Sequence, residues 1–147
     1  MRPWRMDLKQ TPPRRLIAAL LALTMGANGV AMLAAGRWWY GAVPGVPMTG
    51  PFNPHFVKDI GAAYLVVGVA FGWLAARPTP AARGASVAAA LFLGLHAGVH
   101  LTDAIGDPAC LADLARDFPG VLLPALLAAW LCAPYARVET RHAQSPA

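Results

Sequence analysis

The chain is predicted to fold as an all-α bundle of four membrane-crossing helices, and three observations carry that expectation. Its apolar content, 57% of 147 residues, exceeds what a soluble domain of this size uses. The apolar residues gather into four long stretches, at 15–36, 56–76, 82–104 and 119–136. Basic residues crowd one set of helix ends and acidic residues the other. A span needs about 20 helical residues to cross the hydrocarbon, which the first three stretches meet and the fourth approaches. Residues 1–147 read as one integral membrane domain.

The first span follows Arg2, Arg5, Lys9, Arg14 and Arg15 and runs on from Leu16 to Gly36. That is longer than the roughly 7–15-residue core of a cleaved signal peptide, so the helix is read as retained. Arg37-Trp38-Trp39-Tyr40 after it reads as an interfacial anchor. Gly41 to Pro54 is dense in glycine and proline and predicts an ordered loop, placed to lie over the bundle as a lid. In the second span Gly68 and Gly72, and in the third Gly94 and Gly98, stand four residues apart, a spacing that supports close helix packing in lipid. Arg77-Pro78-Thr79-Pro80 is a short turn between antiparallel neighbours.

Beyond the third span, Gly106 signals a stop and Asp107-Pro108 a new start. Leu111, Leu114 and Phe118 then mark one face of a short outer amphipathic helix, whose other face carries Asp113, Arg116 and Asp117 as solvated charges. Pro124 is expected to kink the fourth span. Cys110 and Cys132 fall at opposite ends of the bundle, more than about 20 Å apart by helix rise, and neither belongs to a paired-cysteine motif.

Charge sets the orientation. The side holding Arg2, Arg5, Lys9, Arg14, Arg15, Arg77, Arg83, Arg137 and Arg141 has only Asp7 and Glu139 as acids. The opposite side sets Arg37, Lys58 and Arg116 against Asp59, Asp103, Asp107, Asp113 and Asp117. The positive-inside rule puts both termini in the cytoplasm. The net charge of +5 is thus a topology signal, and no basic surface on an exposed module suggests a nucleic-acid partner.

The chemistry-bearing residues collect toward the outer face. His55 and Asp59 open the second span, and His96, His100 and Asp103 close the third at i, i+4 and i+7, on one helical face. Ionisable groups in a bilayer cost about 2.5–3.5 kcal/mol each even on lenient scales, which makes the cluster a functional-site candidate. Imidazoles with carboxylates suit zinc, copper or iron, with His96, His100 and Asp59 as preferred ligands and Asp103 and His55 completing or orienting them. The zinc-protease pattern is absent, since no Glu follows His96. A ligand pocket would add Asn28, Lys58 and Tyr64 and take a quinone-like or lipid headgroup. A plainer alternative is a packing network in which His96 or His100 pairs with Asp59, Lys58 pairs with Asp103 or snorkels, and His55 helps cap its helix.

The stretch Gly36-Arg-Trp-Trp-Tyr-Gly-Ala-Val-Pro-Gly-Val-Pro-Met-Thr-Gly-Pro-Phe-Asn-Pro-His-Phe-Val-Lys-Asp-Ile-Gly-Ala-Ala-Tyr-Leu65 resembles a segment of small, largely uncharacterised bacterial inner-membrane proteins. Leu95-His-Ala-Gly-Val-His-Leu-Thr-Asp103 fits the same resemblance, and the whole chain is broadly similar to DoxX-like membrane proteins in size and four-helix topology. The resemblance implies the bacterial inner membrane and makes both motifs site elements, without supplying a reaction.

Two functional expectations follow. The first is an outward-facing His/Asp site for a transition metal or small amphipathic ligand, with any enzyme activity undefined. The alternative is a structural or accessory subunit, associating with a membrane complex or with further copies of itself, whose His/Asp network only stabilises packing. An apolar, glycine-lined outer face on the second or third helix would favour the latter. A transporter ranks third, because the inner halves of the spans are mainly Ala, Leu, Val and Gly.

Overall fold

The structure is a computed structural model and describes residues 11–106 and 111–133. Helix α1 spans Pro12–Ala42, α2 Pro54–Ala76, α3 Pro80–Gly106, α4 Leu111–Asp117 and α5 Leu123–Cys132. A 3-10 turn at Val46–Thr49 lies in the first loop, and a π-helical segment at Phe118–Leu122 joins α4 to α5 without a break. Among the described residues, four helices are long and apolar enough to cross a membrane: Pro12–Ala42, Pro54–Ala76, Pro80–Ile105 and Ala112–Cys132.

The expected short outer helix is therefore continuous with the fourth span. Pro119 and Pro124 explain the local geometry: neither has an N–H to donate, and the backbone widens between them until Leu123 N–H donates to the Phe118 carbonyl. Regularity fails one turn before the expected kink at Pro124, which is itself buried. The Asp107-Pro108 start signal and Cys110 lie outside the described residues.

Proline and polar caps set the helix starts. Asn53 Oδ1 accepts from the His55 and Phe56 amides at 3.1 Å, ahead of Pro54 in the first turn of α2. Thr79 Oγ1 accepts from the Ala82 amide at 3.1 Å at the start of α3. Asn53, rather than the His55 side chain, caps α2.

The helices pack as an up-and-down ring, with α1 against α2, α2 against α3, α3 against α5, and α5 closing on α1. The most extensive contact is between α1 and α2, and glycine makes it so. A Cβ on Gly29 would lie 2.7 Å from the Gly61 carbonyl oxygen and from the Leu65 amide nitrogen. One on Gly68 would lie 2.7 Å from the Gly26 backbone, and one on Gly72 would touch the Ala22 methyl at 3.6 Å. The pairing 29 with 61, 26 with 68 and 22 with 72 fixes an antiparallel register in which the two backbones touch.

Buried Phe71, Met32, Leu131 and Ser86 fill the core. The Ser86 hydroxyl donates to the Ala82 carbonyl at 2.9 Å and reaches the Ala70 carbonyl of α2 at 3.3 Å. Cys132 Sγ in turn faces the Ser86 carbonyl at 3.5 Å.

At the arginine-rich end, two guanidiniums cover the C-terminal carbonyls of α5. Arg14, only 9% exposed, donates to the Leu131 carbonyl at 3.2 Å and lies over the Trp130 ring. Arg83 donates to the Cys132 and Ala133 carbonyls at 3.0 and 3.2 Å. Helix C-termini leave such carbonyls unpaired and carry partial negative charge, so cations are stabilising there.

Gly29→Ala or Gly61→Ala should cost about 1–3 kcal/mol in a reversible unfolding assay, because the added methyl meets the α2 backbone in the first case and the Met32 Cβ, fixed to the α1 backbone, in the second. Gly94→Ala, which has nothing within 4 Å of its Cβ position, should be nearly neutral. Equal effects at Gly29 and Gly94 would refute the backbone contact.

Candidate functional site

The loop end of the bundle is organised from α1 outward. The helix breaks at Ala35 (φ −138°, ψ 41°), just before Gly36, whose close approach to Val57 of α2 leaves little room for a side chain. The bend brings Trp39 Nε1 to donate to Asn28 Oδ1 at 2.8 Å. Eleven residues of straight helix would separate these positions by about 16 Å along the axis, so the contact depends on the bend. Beyond it, the Tyr40 hydroxyl donates to the Gly50 and Pro47 carbonyls, and Phe52 packs between Tyr40 and the Arg37 guanidinium. The aromatic run expected as a membrane anchor is thus divided. Trp38 stays exposed, Trp39 ties back to Asn28, and Tyr40 fastens the loop.

Gly45 turns the loop back over the bundle with φ 86°, a left-handed conformation that favours glycine. A side chain there would also run into the Arg116 guanidinium, so loop and α4 meet at this point. Arg116 Nη1 pairs with Asp113 at 2.8 Å, and its Nε donates to Asp117 Oδ1 at 3.0 Å. The other carboxylate oxygen, Asp117 Oδ2, accepts from His100 Nδ1 of α3 at 2.8 Å. The side chains of His100 and Asp117 are only 28% and 14% exposed. Together these contacts clasp α3, α4 and the loop.

The chemistry of the clasp follows from its occupancy. Both Asp117 oxygens already accept N–H donors, one from a guanidinium and one from an imidazole. The hydrogen bond also fixes Nδ1 as the protonated nitrogen of neutral His100. Charge-assisted bonds of this kind hold helices together and fix ring orientation.

The remaining predicted site residues do not converge on it. His55, Lys58 and Asp59 lie on the exposed side of α2, because Val57, Gly61, Tyr64 and Gly68 supply its buried face. His55 and Asp59 pair at 3.4 Å within their own helix, at 89% and 61% exposure. Asp103 is exposed near the end of α3, bordering a cleft of about 310 Å³ with Met48, Thr49 and His100. His96 lies deeper, stacked on Phe92 and edge-on to Tyr64, with the His100 ring 5.0 Å away. Tyr64 itself is 6% exposed. Asn28 faces Trp39, with its amide nitrogen 3.7 Å from Met32 Sδ.

The expectation of an outward-facing metal or amphipathic-ligand site is therefore corrected. Among the described residues no group of three or more His, Cys, Asp or Glu side chains is placed to hold a metal ion. Spacing at i and i+4 puts two residues on one helix face without saying which way that face turns. The α2 pair turns outward while the α3 pair turns inward, so His96 and His100 never meet Asp59, Asp103 and His55 as one shell. The partner of His100 is Asp117, which sequence reasoning placed on a solvated face. Continuity of helix through Pro119, rather than a separate outer helix, turns that carboxylate toward α3. Ser86, the buried hydroxyl tying α2 to α3, was also missed, since one serine in an apolar run gives no pattern.

No family model, curated protein or solved structure matches the chain.

His100→Ala and Asp117→Asn should each lower stability by about 1–2 kcal/mol, in the range of interhelical polar contacts in membranes. The double variant should fall short of their sum, as expected for contacting partners. His55→Ala, which removes an exposed pair, should change stability by less than about 0.5 kcal/mol. Strict additivity of the His100 and Asp117 effects would remove the clasp. Gly45→Ala should cost roughly 1–2 kcal/mol for its left-handed backbone alone, with the loop released from Arg116 as measured by faster amide exchange at 45–49.

Proposed function

We propose that this chain is a bacterial inner-membrane protein serving as a structural or accessory subunit, with its polar cluster holding helices rather than performing chemistry. The observation that carries this reading is the His100–Asp117–Arg116 clasp, in which both carboxylate oxygens are occupied by the chain's own donors. The fold supports the subunit role from outside as well. Gly84, Gly94 and Gly98 of α3 have nothing within 4 Å of their Cβ positions, and Val87, Leu91, Leu95 and Val99 are exposed on the same helix. That is the glycine-lined apolar face an associating membrane helix uses. The likeness to DoxX-like proteins accords with the four-helix ring and adds no activity.

Positive-inside bias supports a cytoplasmic location for the end carrying Arg14, Arg15, Arg77 and Arg83, with the clasp and the 43–53 loop on the periplasmic side.

Topology is tested by single cysteines in a C110S/C132S background. Thr49→Cys should react with an impermeant maleimide in cells whose outer membrane has been permeabilised, and Thr79→Cys only after the inner membrane is opened. The reverse pattern would invert the orientation. The subunit role is tested by native gel analysis of mildly solubilised membranes. Gly94→Leu with Gly98→Leu should release the chain from a larger assembly, whereas Ala27→Leu on α1 should not. A chain that runs alone before substitution would overturn the role.

A further inference from the structure

A second feature lies at the opposite end from the clasp. Between α1 and α2 an open groove of about 540 Å³ runs along the bundle surface, floored by Ala19, Ala22, Gly72 and Ala76 and walled by Leu23. Its floor is shallow because Gly72 lets the Ala22 methyl approach to 3.6 Å of its Cβ position. Arg15 stands at its arginine-rich end, exposed and, among the described residues, without an acidic partner. Arg77 follows Ala76 at that same end, and Trp73 is 44% exposed one turn earlier.

We propose that this groove binds one anionic phospholipid of the cytoplasmic leaflet, a reading that rests on the membrane orientation given above. Arg15 receives the phosphate, and an acyl chain lies over the alanine and glycine floor toward Leu23. From Arg15 to Leu23 the helix rises about 12 Å, which is most of one leaflet's hydrocarbon depth. The charge complementarity selects the lipid class. Basic pockets between spans on the cytoplasmic side take anionic headgroups. A second copy of the chain would place two Arg15 guanidiniums at the same helix ends, or bury one against an apolar face.

Native mass spectrometry of the full chain, with phosphatidylglycerol and phosphatidylcholine supplied at equal concentration, tests the assignment. Wild type should retain phosphatidylglycerol preferentially. Arg15→Gln should cut that preference about fivefold, the effect of one surface cation. Ala19→Leu, at an exposed position, should lower retention of the lipid without changing charge. Arg37→Gln, at the other end, should leave the preference unchanged. Equal retention of both lipids by wild type, or no response to Arg15→Gln and Ala19→Leu, would overturn the proposal. A dimer abolished by Ala19→Leu, without lipid preference, would give the groove to a second copy and overturn it as well. Failure of the membrane reading shows separately, as release of the chain from membranes by an alkaline carbonate wash.

Discussion

Backbone contact between α1 and α2 is the constraint on which the rest of the bundle depends. Gly29, Gly61 and Gly68 leave no room for a Cβ, and at Gly29 and Gly68 the helices meet through main-chain atoms. Such approach supplies dispersion contacts that bulkier side chains would forbid. It also fixes the register of the first hairpin, and with it the height of everything at the loop end. Val57 meets Gly36 where α1 bends, and the bend delivers Trp39 to Asn28.

The polar residues are distributed so that each end of the ring has its own fastening. At the loop end an imidazole, a carboxylate and a guanidinium tie α3 to α4 and meet the loop at Gly45. At the arginine-rich end Arg14 and Arg83 satisfy carbonyls that terminate α5. Between them Ser86 is the deeply buried hydroxyl, held by carbonyls of two helices. Each of these groups specifies a neighbour through a directional hydrogen bond.

Much of the fold could be read before the structure, because length and apolar content of a span are local properties. The four spans, the short turn at 77–80 and the glycine-rich character of the packing helices all come from such signals. The candidate site was legible only as an inventory. His96 and His100 do share a face that turns inward, but the same spacing in His55 and Asp59 marks a face that turns away. Helix phase relative to neighbours is a tertiary property, set here by where Gly61 and Tyr64 must sit. The assignment of Asp117 failed for a related reason. The stop at Gly106 and the Asp107-Pro108 start suggested a separate outer helix, whereas α4 runs on into α5 through a π-helical turn and carries the carboxylate to α3.

The contact between Arg14 and the Leu131 carbonyl has a consequence for how the ring closes. Arg14 lies in the first turn of α1, and its acceptor lies in the last turn of α5. The α1–α2 hairpin, glycine against glycine, has all of its residues before α5 in the chain. Ring closure must then wait for α5, which brings its terminal carbonyls to Arg14. Closure of the ring thus rests on a contact between residues 117 positions apart, and a chain cut short of Leu131 leaves the ring open on the α1 side.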